Sequence, residues 1–289
     1  MITEGQIMIK KLILITFLVL FAGNLNAETK TYKMVFVPAS EKGEESDYTT
    51  LISITEKLTG FNIETIKVTD YNAAVEAMRA GRAHIAWYGG KTYVKAAEIA
   101  NAEAFAAGVR PGEKDAGYYT YFVVKKDSKI KNFDQVKGKV LSLNTIGSTS
   151  GDLIPQVELS KINLSIKDKD HFKNVFYAGS HDACLLSVIN NQADVCGMSS
   201  RNFEARLDDG TLNKEDVRII HKSDRVPPPP LAYSKMIPIE DREKIKKAVL
   251  EAHEHGQIGG YGGKMSHYME VKDSDYDVLR EVIELLNKS

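Results

Sequence analysis

Short apolar runs alternate with amphipathic segments along most of the chain, and glycines or polar turns separate them. The runs predict three strands, at 32–38, 61–68 and 83–88. The amphipathic segments predict three helices, at 48–58, 71–80 and 91–99. Gly81 is expected to cap the second of these helices. Strands that alternate with helices in this way predict an α/β fold.

The same alternation starts again after Gly117. It predicts four more strands, at 118–125, 139–144, 174–177 and 193–196. It also predicts a helical turn and two helices, at 133–137, from Ser148 and at 183–190. Two α/β units of about a hundred residues each fit the usual size of a domain. We therefore expect two α/β lobes with a ligand cleft between them.

The tail that begins at Ile237 shows two clear helical segments, at 241–252 and 275–286, and no predicted strand. Such a tail must pack on an existing lobe, and we expect the first. The chain then crosses between the lobes twice, near Gly117 and at 218–223. The predicted organisation is a signal peptide at 1–27, a first lobe at 28–117 plus 223–289, and a second lobe at 118–222.

The N-terminal segment has the pattern of a secretory signal peptide. Lys10 and Lys11 precede an apolar run at 12–22, and the small residue Ala27 closes a short polar stretch. The run is about half the roughly 20 residues that a membrane-spanning helix needs. No cysteine lies at the cleavage region, so a lipid anchor is not expected. We predict cleavage near Ala27 and release into the periplasm.

Charge and cysteine content narrow the classes of protein. The formal net charge is −1, and removing 1–27 takes away Lys10, Lys11 and Glu4 and leaves −2. This balance argues against a nucleic-acid partner, which calls for a basic patch. A helix and the next strand often hold positions such as Cys184 and Cys196 too far apart for a disulfide. The sequence therefore favours two free thiols and leaves a bridge open.

The turn at 144–151 is the sharpest candidate for a binding site. Three consecutive hydroxyl residues, Ser148, Thr149 and Ser150, lie between two glycines and lead into an apolar helix. Backbone N–H groups at a helix start have no partner in the helix and carry the positive end of its dipole, which suits an anion. The alternative is an ordinary serine cap, which needs only one of the hydroxyls.

A second candidate turn follows the predicted strand at 174–177. His181 can donate a ring N–H to an oxyanion, and it carries a positive charge when it is protonated. The alternative has Ser180 or Asp182 capping the helix with His181 merely exposed, and the turn taken alone favours that alternative.

Aromatic residues near the predicted lobe edges form a third signal. Tyr71 and Trp87 follow or end strands, and Tyr118 lies at the junction of the lobes. Phenolic hydroxyls donate hydrogen bonds from an apolar ring, which suits a cleft that excludes water as it closes. Most such aromatics belong to a hydrophobic core, and we assign Trp87 to it.

These motifs together resemble the phosphate/phosphite/phosphonate-binding proteins of ABC importers. The resemblance covers roughly residues 30 to 235 and lies in five ordered stretches: Asp70-Tyr71 with Ala77-Met78-Arg79, Ile85 to Gly89, Ser148 to Gly151 with Pro155, Ala178 to Asp182, and Asn191 to Val195. It implies a type II periplasmic binding protein fold with two hinge crossings. It also implies delivery of the ligand to a membrane permease. No metal-ligand spacing and no glycine-rich nucleotide loop appear in the sequence, so no metal or cofactor is expected, and we expect a monomer.

The resemblance also implies which residues bind the ligand. Ser148, Thr149, Ser150 and His181 are expected to hold the ligand oxygens, and Tyr71 and Tyr118 to close over it. In similar proteins that accept aminoalkyl phosphonates, acidic groups near the positions of Arg201 and Pro229 receive the ammonium. Because Arg201 cannot neutralise an amine, a ligand without one is expected, such as phosphite, a methylphosphonate-like molecule or one with a second anionic group. Arg201 itself is either a ligand contact or a surface residue.

Two other functions are alternatives to an importer component. Ser148 to Ser150, His181 and Asp182 superficially offer a hydrolase triad, but adjacent residues on one turn cannot orient each other as a triad requires. An enzyme is therefore not expected. A periplasmic module that senses the same ligand for a membrane receptor would have the same fold and site, so it stays open as an alternative to an importer component.

Overall fold

The computed structural model describes residues 29–40 and 45–288. The predicted signal peptide at 1–27 lies outside the described residues. Within them, no helix has the length and the apolar character that crossing a membrane requires. The described strands are, in chain order, β1 (Thr31–Phe36), β2 (Asn62–Ile66), β3 (Ile85–Trp87), β4 (Ala102–Val109), β5 (Thr120–Lys125), β6 (Val140–Leu143), β7 (Asn174–Tyr177), β8 (Val195–Ser199), β9 (Val217–Lys222), β10 (Leu231–Ser234), β11 (Ile258–Gly260), β12 (Gly263–Met265) and β13 (His267–Glu270).

The helices occupy most of the positions that apolar spacing predicts. The described α-helices are α1 (Glu45–Thr59), α2 (Tyr71–Arg79), α3 (Gly90–Ile99), α4 (Ile154–Lys161), α5 (His181–Ile189), α6 (Ser200–Asp208), α7 (Ile239–Glu251) and α8 (Asp277–Lys288). A π-helical turn at Thr149–Leu153 leads directly into α4, and short 3₁₀ turns lie at Phe133–Val136, Ala252–Glu254 and Asp273–Tyr276. Gly81 follows α2 with a φ of 68°, a conformation that glycine adopts without strain.

Two sheets organise the chain. The first has the order β13-β4-β10-β3-β1-β2, and β1, β2 and β3 run parallel. β10 and β13 join it antiparallel, on either side of β4. The second has the order β7-β6-β8-β5-β9, with β6, β7 and β8 parallel. The first sheet therefore combines a parallel βαβ part with antiparallel strands that follow it in the chain, whereas in the second sheet the antiparallel strand β5 precedes the parallel part.

Two crossing segments connect the sheets, one between β4 and β5 and one between β9 and β10. They pair with each other through Tyr118 and Val226, whose backbone N–H and carbonyl groups exchange hydrogen bonds of 3.2 and 2.8 Å. The second crossing was expected at 218–223 and that expectation is wrong, because Val217–Lys222 forms the edge strand β9 against β5. Val217 is the one fully buried residue of this strand, and the His221 ring stacks on Phe133, so the strand lacks a continuous hydrophobic run.

The C-terminal tail differs from its prediction as well. It packs on the first sheet's side, where β13 pairs with β4, but it contains the three strands β11, β12 and β13 instead of helices alone. β4 was also missed, because its sequence is rich in alanine, which has little intrinsic preference for strands. Burial explains why it forms nevertheless: Phe105 and Ala106 are almost fully buried in the first sheet's core.

Cys184 and Cys196 form a disulfide, so the preference for free thiols is wrong. The turn after α5 contains Asn191 with a φ of 58°, and it folds the helix back onto β8. The two Cα atoms consequently lie 5.6 Å apart, within the range that a disulfide spans. The bridge thus ties the start of the second sheet's central strand to the helix that carries His181.

Candidate functional site

A small cavity lies between the two sheets, where the parallel strands β1, β3, β6 and β7 end and the next segments begin. Its volume is about 10 Å³, which is the space of about one water molecule. The described residues that line it are Ala39, Tyr71, Trp87, Gly89, Tyr118, Ser148, Thr149, Ser150, His181, Pro229 and Tyr261. Six of the seven residues predicted from the sequence thus lie together at this cavity, and Arg201 does not.

Helix starts surround the cavity. Tyr71 is the first residue of α2, Gly89 caps α3, Ser148 caps the π-helical turn, and His181 is the first residue of α5. The first N–H groups of each helix have no partner within it, and the helix dipole places positive potential there. Four helices from two sheets therefore direct donors and positive potential at one small volume, which suits an anion.

The hydroxyl loop combines capping with free donor capacity. Ser148 Oγ accepts hydrogen bonds from the backbone N–H of Gly151 at 3.1 Å and from Asn144 Nδ2 at 3.3 Å. Thr149 Oγ1 accepts one from the backbone N–H of Lys91 at 2.9 Å. Because both oxygens act as acceptors in these contacts, their hydroxyl hydrogens can still be donated to an anion.

Gly151 makes the tight turn of this loop possible. A Cβ atom at Gly151 would lie 2.3 Å from Asn144 Cβ and 3.0 Å from His181 Cε1. No side chain fits there without moving the backbone, so glycine is required for the loop to approach the histidine ring. This is the physical reason for the second glycine of the motif.

His181 is buried and neutral. Its Nδ1 accepts a hydrogen bond from the backbone N–H of Ser199 at 3.2 Å, so the ring's single proton lies on Nε2. Burial lowers the pKa of His181 to about 3, and the charge of Asp182 opposes this shift without reversing it. Ser180 caps α5 by accepting from Ala183 N at 3.0 Å. The sequence left open both a capping serine and a donor histidine, and the structure contains both, but His181 is buried and not exposed as the alternative had it.

Asp182 is paired with Arg206 and not with His181. Its carboxylate oxygens accept from Arg206 Nε at 2.7 Å and from Arg206 Nη2 at 2.5 Å. It therefore forms a bidentate ion pair with a guanidinium, while the His181 Nδ1 position that a catalytic acid would occupy is taken by a backbone N–H. The described residues also contain no group of three or more side chains placed to hold a metal ion.

Aromatic rings form the opposite wall. Trp87, which we assigned to the core, is buried and also lines the cavity, and its Nε1 has no hydrogen-bond partner among the described residues. Burial raises the pKa of Tyr118, and hydrogen bonds with the Ser150 and Thr149 side chains oppose that rise. The Tyr118 hydroxyl therefore meets the hydroxyl loop and stays protonated at physiological pH.

Sequence reasoning missed Tyr261, which lies between β11 and β12 in a tail that was expected to be helical. Its ring centroid is 4.8 Å from that of Trp87, and it meets Tyr118 edge-on at 6.3 Å. The signal that could have located it is the run of glycines on both sides, from Gly259 to Gly263, which is typical of a tight turn.

Arg201 lies behind the wall and is buried. Its Nη2 donates to the carbonyl oxygens of Ala116 at 2.7 Å and of Gly108 at 3.4 Å, whereas its Nε has no partner among the described residues. Burial lowers the pKa of Arg201, but a guanidinium remains protonated. The residue is therefore neither exposed on the surface nor part of the lining.

Contacts across the cavity join the two sheets. Lys91 Nζ lies 2.5 Å from Asp152 Oδ2, Thr92 Oγ1 donates to the Gly147 carbonyl at 2.9 Å, and His181 N donates to the Ala39 carbonyl at 3.1 Å. These bonds surround the cavity and connect α3 and the end of β1 to the hydroxyl loop and α5. The protein is thus in a closed arrangement.

Two α/β lobes that are joined by two crossings and close on a cavity lined by helix starts define a type II periplasmic binding protein. The family described as ABC transporter, phosphonate, periplasmic substrate-binding protein matches residues 34–276. The chain therefore belongs to this family. The resemblance, the fold class, the role as a binding component of an importer and the periplasmic location are confirmed at this level, and the family is not one of enzymes.

Individual relatives agree with this membership. The chain is 29% identical over 230 residues to the phosphonates-binding periplasmic protein of Escherichia coli K12, a match of 73% of this chain and 66% of that protein, just under two thirds of its length. It is 26% identical over 275 residues to the phosphate-import protein PhnD of Mycolicibacterium smegmatis, covering 89% and 86% of the two chains. The structure of PhnD1 from Prochlorococcus marinus, in complex with methylphosphonate, has the same fold, with a TM-score of 0.74, 20% identity, and coverage of 90% of this chain and 99% of that one.

Proposed function

We propose that this protein captures an amine-free phosphorus oxyanion of the size of phosphite or methylphosphonate and delivers it to a membrane permease. One observation carries the proposal. The described cavity lining offers hydroxyl, imidazole and helix-start N–H donors on one side and aromatic rings and Pro229 on the other, and it includes no Asp or Glu side chain.

The donor side would hold the three oxygens of the ligand. We assign this role to Ser148, Thr149, Ser150 and His181 Nε2, which belong to one lobe. Each bond between a neutral donor and a charged oxygen contributes about 1.5–3 kcal/mol. Several neutral donors and helix starts stabilise an anion without a cation in the cavity, and Arg201 adds positive potential from behind the wall.

Tyr71 and Tyr118 would complete the site when the lobes close. Tyr118 already meets the hydroxyl loop through Ser150 and Thr149. Tyr71 Cε1 lies 3.7 Å from the position that a Cβ of Gly89 would occupy, so its ring packs at the start of α3. A hydrogen or methyl substituent on phosphorus would then face rings and Pro229, where it loses no hydrogen bond on leaving water.

A ligand amine is disfavoured by the same lining. A buried ammonium needs a carboxylate or several carbonyl oxygens, and an unpaired charge is costly to bury. In addition, Arg201 places a like charge close to the aromatic wall. Aminoethylphosphonate should therefore bind more weakly than methylphosphonate.

Phosphate differs from phosphite and methylphosphonate by less than an amine-bearing ligand does. Hydrogen phosphate carries one P–OH group that must donate to an acceptor, whereas phosphite and methylphosphonate as dianions carry none. Because the lining is rich in donors and lacks a carboxylate, a buried P–OH would lose a hydrogen bond that it makes in water. This favours phosphite and methylphosphonate over phosphate.

Lobe closure would drive the function. We propose that the first lobe comprises 28–117 plus 223–289 and the second 118–222, in keeping with the strands of the two sheets. They would rotate about the paired segments at Tyr118 and Val226. The ligand stabilises the closed form because only that form uses donors from both lobes, and the permease would bind the closed form. We propose that the protein acts as a monomer.

Secretion would precede these steps. We propose that residues 1–27 are a signal peptide removed near Ala27. The intact mass of protein recovered from the periplasm tests this directly. A mass that includes Lys10 and Lys11 would contradict cleavage at that position.

Isothermal titration of the mature protein, first freed of ligand by unfolding and refolding, tests the proposed ligand. Phosphite, methylphosphonate, aminoethylphosphonate and phosphate are titrated in turn, with sulfate as a control anion. The expected order places phosphite or methylphosphonate first and aminoethylphosphonate well behind. Tightest binding of aminoethylphosphonate would overturn the amine argument, and no heat with any phosphorus compound would overturn the ligand class.

A further inference from the structure

A second, larger cavity lies on the other side of Tyr261. Its volume is about 600 Å³, against about 10 Å³ for the ligand cavity. Its lining includes the charged residues Arg110, Arg206, Asp208 and Lys264. Among the described residues that line either cavity, Tyr261 is the one that lines both.

Contacts at both ends fix the Tyr261 side chain. The ring packs on Trp87 in the first sheet, with 4.8 Å between the centroids. The hydroxyl donates to Asn202 Oδ1 in α6, which belongs to the second sheet's side. The side chain consequently spans the gap between the lobes and is itself 94% buried, with an exposed fraction of 6%.

The backbone around Tyr261 is equally constrained. The residue lies at the turn between β11 and β12, where Gly262 has a φ of 82°. A Cβ atom at Gly262 would lie 3.0 Å from Arg201 Cβ. The Tyr261 N–H donates to Tyr48 Oη at 3.2 Å. A hairpin packed this closely against α6 holds the ring in one place, so the ring acts as a rigid partition and not as a mobile side chain.

We propose that Tyr261 is the residue that limits the size of the phosphorus substituent, because its ring separates the ligand cavity from the larger cavity. This inference rests on the proposed function. A hydrogen or a methyl group fits on the near side of the ring, whereas a chain of several carbons must displace it. Displacement would break the Asn202 bond and the Trp87 contact, which opposes lobe closure.

Removing the ring should join the two cavities. A longer substituent could then extend toward the space beside Lys264 while the phosphonate oxygens keep the same donors. Tyr261→Ala and Tyr261→Leu remove the ring, and Tyr261→Leu keeps an apolar contact with Trp87. Tyr261→Phe is the matched control, since it keeps the ring and loses only the hydroxyl.

The test titrates wild type and the three variants with methylphosphonate and butylphosphonate, after a thermal melt has shown each variant to be folded. In the wild type, butylphosphonate should bind about tenfold or more weakly than methylphosphonate, because a substituent that overpacks a closed site is disfavoured. The test compares the dissociation constant of butylphosphonate divided by that of methylphosphonate. This ratio should fall toward one in Tyr261→Ala and Tyr261→Leu and stay at the wild-type value in Tyr261→Phe.

The outcomes separate this inference from the proposed function. Equal affinities for the two ligands in the wild type, or an unchanged ratio in both folded ring-removal variants, would overturn the role of Tyr261 alone. A fall of the ratio in Tyr261→Phe as large as in Tyr261→Ala would show that the hydroxyl, and not the ring, sets the limit. A wild type that binds neither phosphonate would overturn the proposed ligand class and this inference with it.

Discussion

Thr149 Oγ1 accepts a hydrogen bond of 2.9 Å from the backbone N–H of Lys91, and this bond joins the first turns of two helical segments from opposite lobes. The start of each helix presents N–H groups that water satisfies when the lobes are apart. On closure, the threonine replaces water for one of these groups. Its hydroxyl also meets Tyr118. Under the proposed function it donates its hydrogen to the ligand, so that one side chain would serve both closure and binding.

Substituting Thr149 should therefore cost more than substituting a residue that serves closure alone. Thr149→Val should weaken methylphosphonate binding by roughly 10- to 100-fold, as expected for a bond to a charged group. Thr92→Val removes only the bond of Thr92 Oγ1 to the Gly147 carbonyl and should cost about tenfold or less. Isothermal titration of both variants checks this. Equal losses would mean that Thr149 acts in closure without contacting the ligand.

Lys91 and Asp152 form the ion pair that connects the lobes beside the cavity. The Asp152 side chain is only 3% exposed, and it also accepts from Tyr177 Oη at 2.7 Å and from Gln156 Nε2 at 2.7 Å. These two donors belong to the same lobe as Asp152, so the carboxylate keeps them when the lobes separate. Lys91 comes from the other lobe, and its contact exists only in the closed form.

Lys91→Met should accordingly shift the protein toward the open form without unfolding it. The expected result is a loss of about tenfold in ligand affinity and a larger radius of gyration at subsaturating ligand, measured by titration and by small-angle scattering. Lys95→Met is the matched control, because Lys95 lies about one turn further along α3 and donates to Asn72 within its own lobe. A loss of affinity in the control as large as in Lys91→Met would rule out a specific role for the pair.

The parts of the site that the sequence predicts share one property. Each of Ser148, His181 and Tyr71 follows a strand and begins a helix, and local signals define such junctions: an apolar run, a turn residue and a capping side chain. Parallel strands of a sheet end on the same side, so junctions of this kind must converge. Their meeting at one cavity follows from local patterns together with the fold class.

The parts that were missed depend on contacts between distant segments. Tyr261 reaches the cavity only because β13 pairs with β4 and places the preceding hairpin against the first sheet. The pairing of Cys184 with Cys196 depends on how tightly the turn at Asn191 folds, and the neutral state of His181 depends on the N–H of Ser199. The spacing of apolar residues along one element does not indicate any of these contacts.

The disulfide between Cys184 and Cys196 should contribute strongly to the stability of the second lobe. It closes a loop with a sequence separation of 12 residues, for which the chain-entropy relation gives about 3 kcal/mol. We expect Cys184→Ala combined with Cys196→Ala to lower the free energy of unfolding by about that amount, as measured by urea denaturation. Thiol titration of denatured wild type should find no free thiol. Two free thiols per chain in protein isolated from the periplasm would contradict the bridge.

His181 should make the stability of the folded protein depend on pH. Its pKa is lowered to about 3 in the folded protein from an ordinary value of 6.5, mainly by burial. A group with a lowered folded pKa binds its proton more tightly in the unfolded chain. Its contribution to stability is therefore complete above pH 6.5 and is lost as the pH falls toward 3. The wild type should lose stability between these values more steeply than His181→Gln, with a slope difference approaching about one proton.

The pH dependence of ligand affinity should differ from the pH dependence of stability. Because His181 stays neutral in the folded protein, it donates from Nε2 throughout the range from pH 8 to pH 5, and any change of affinity there should come from the ligand's own ionisation. His181→Gln keeps an N–H donor that does not titrate, so the two proteins should show parallel affinity curves for methylphosphonate even if the variant binds more weakly. Titration calorimetry across this range is the measurement. A wild-type affinity that rises relative to the variant as the pH falls through 6.5 would mean that His181 binds the oxyanion as an imidazolium, and that the ligand supplies enough interaction to offset the burial that keeps the ring neutral.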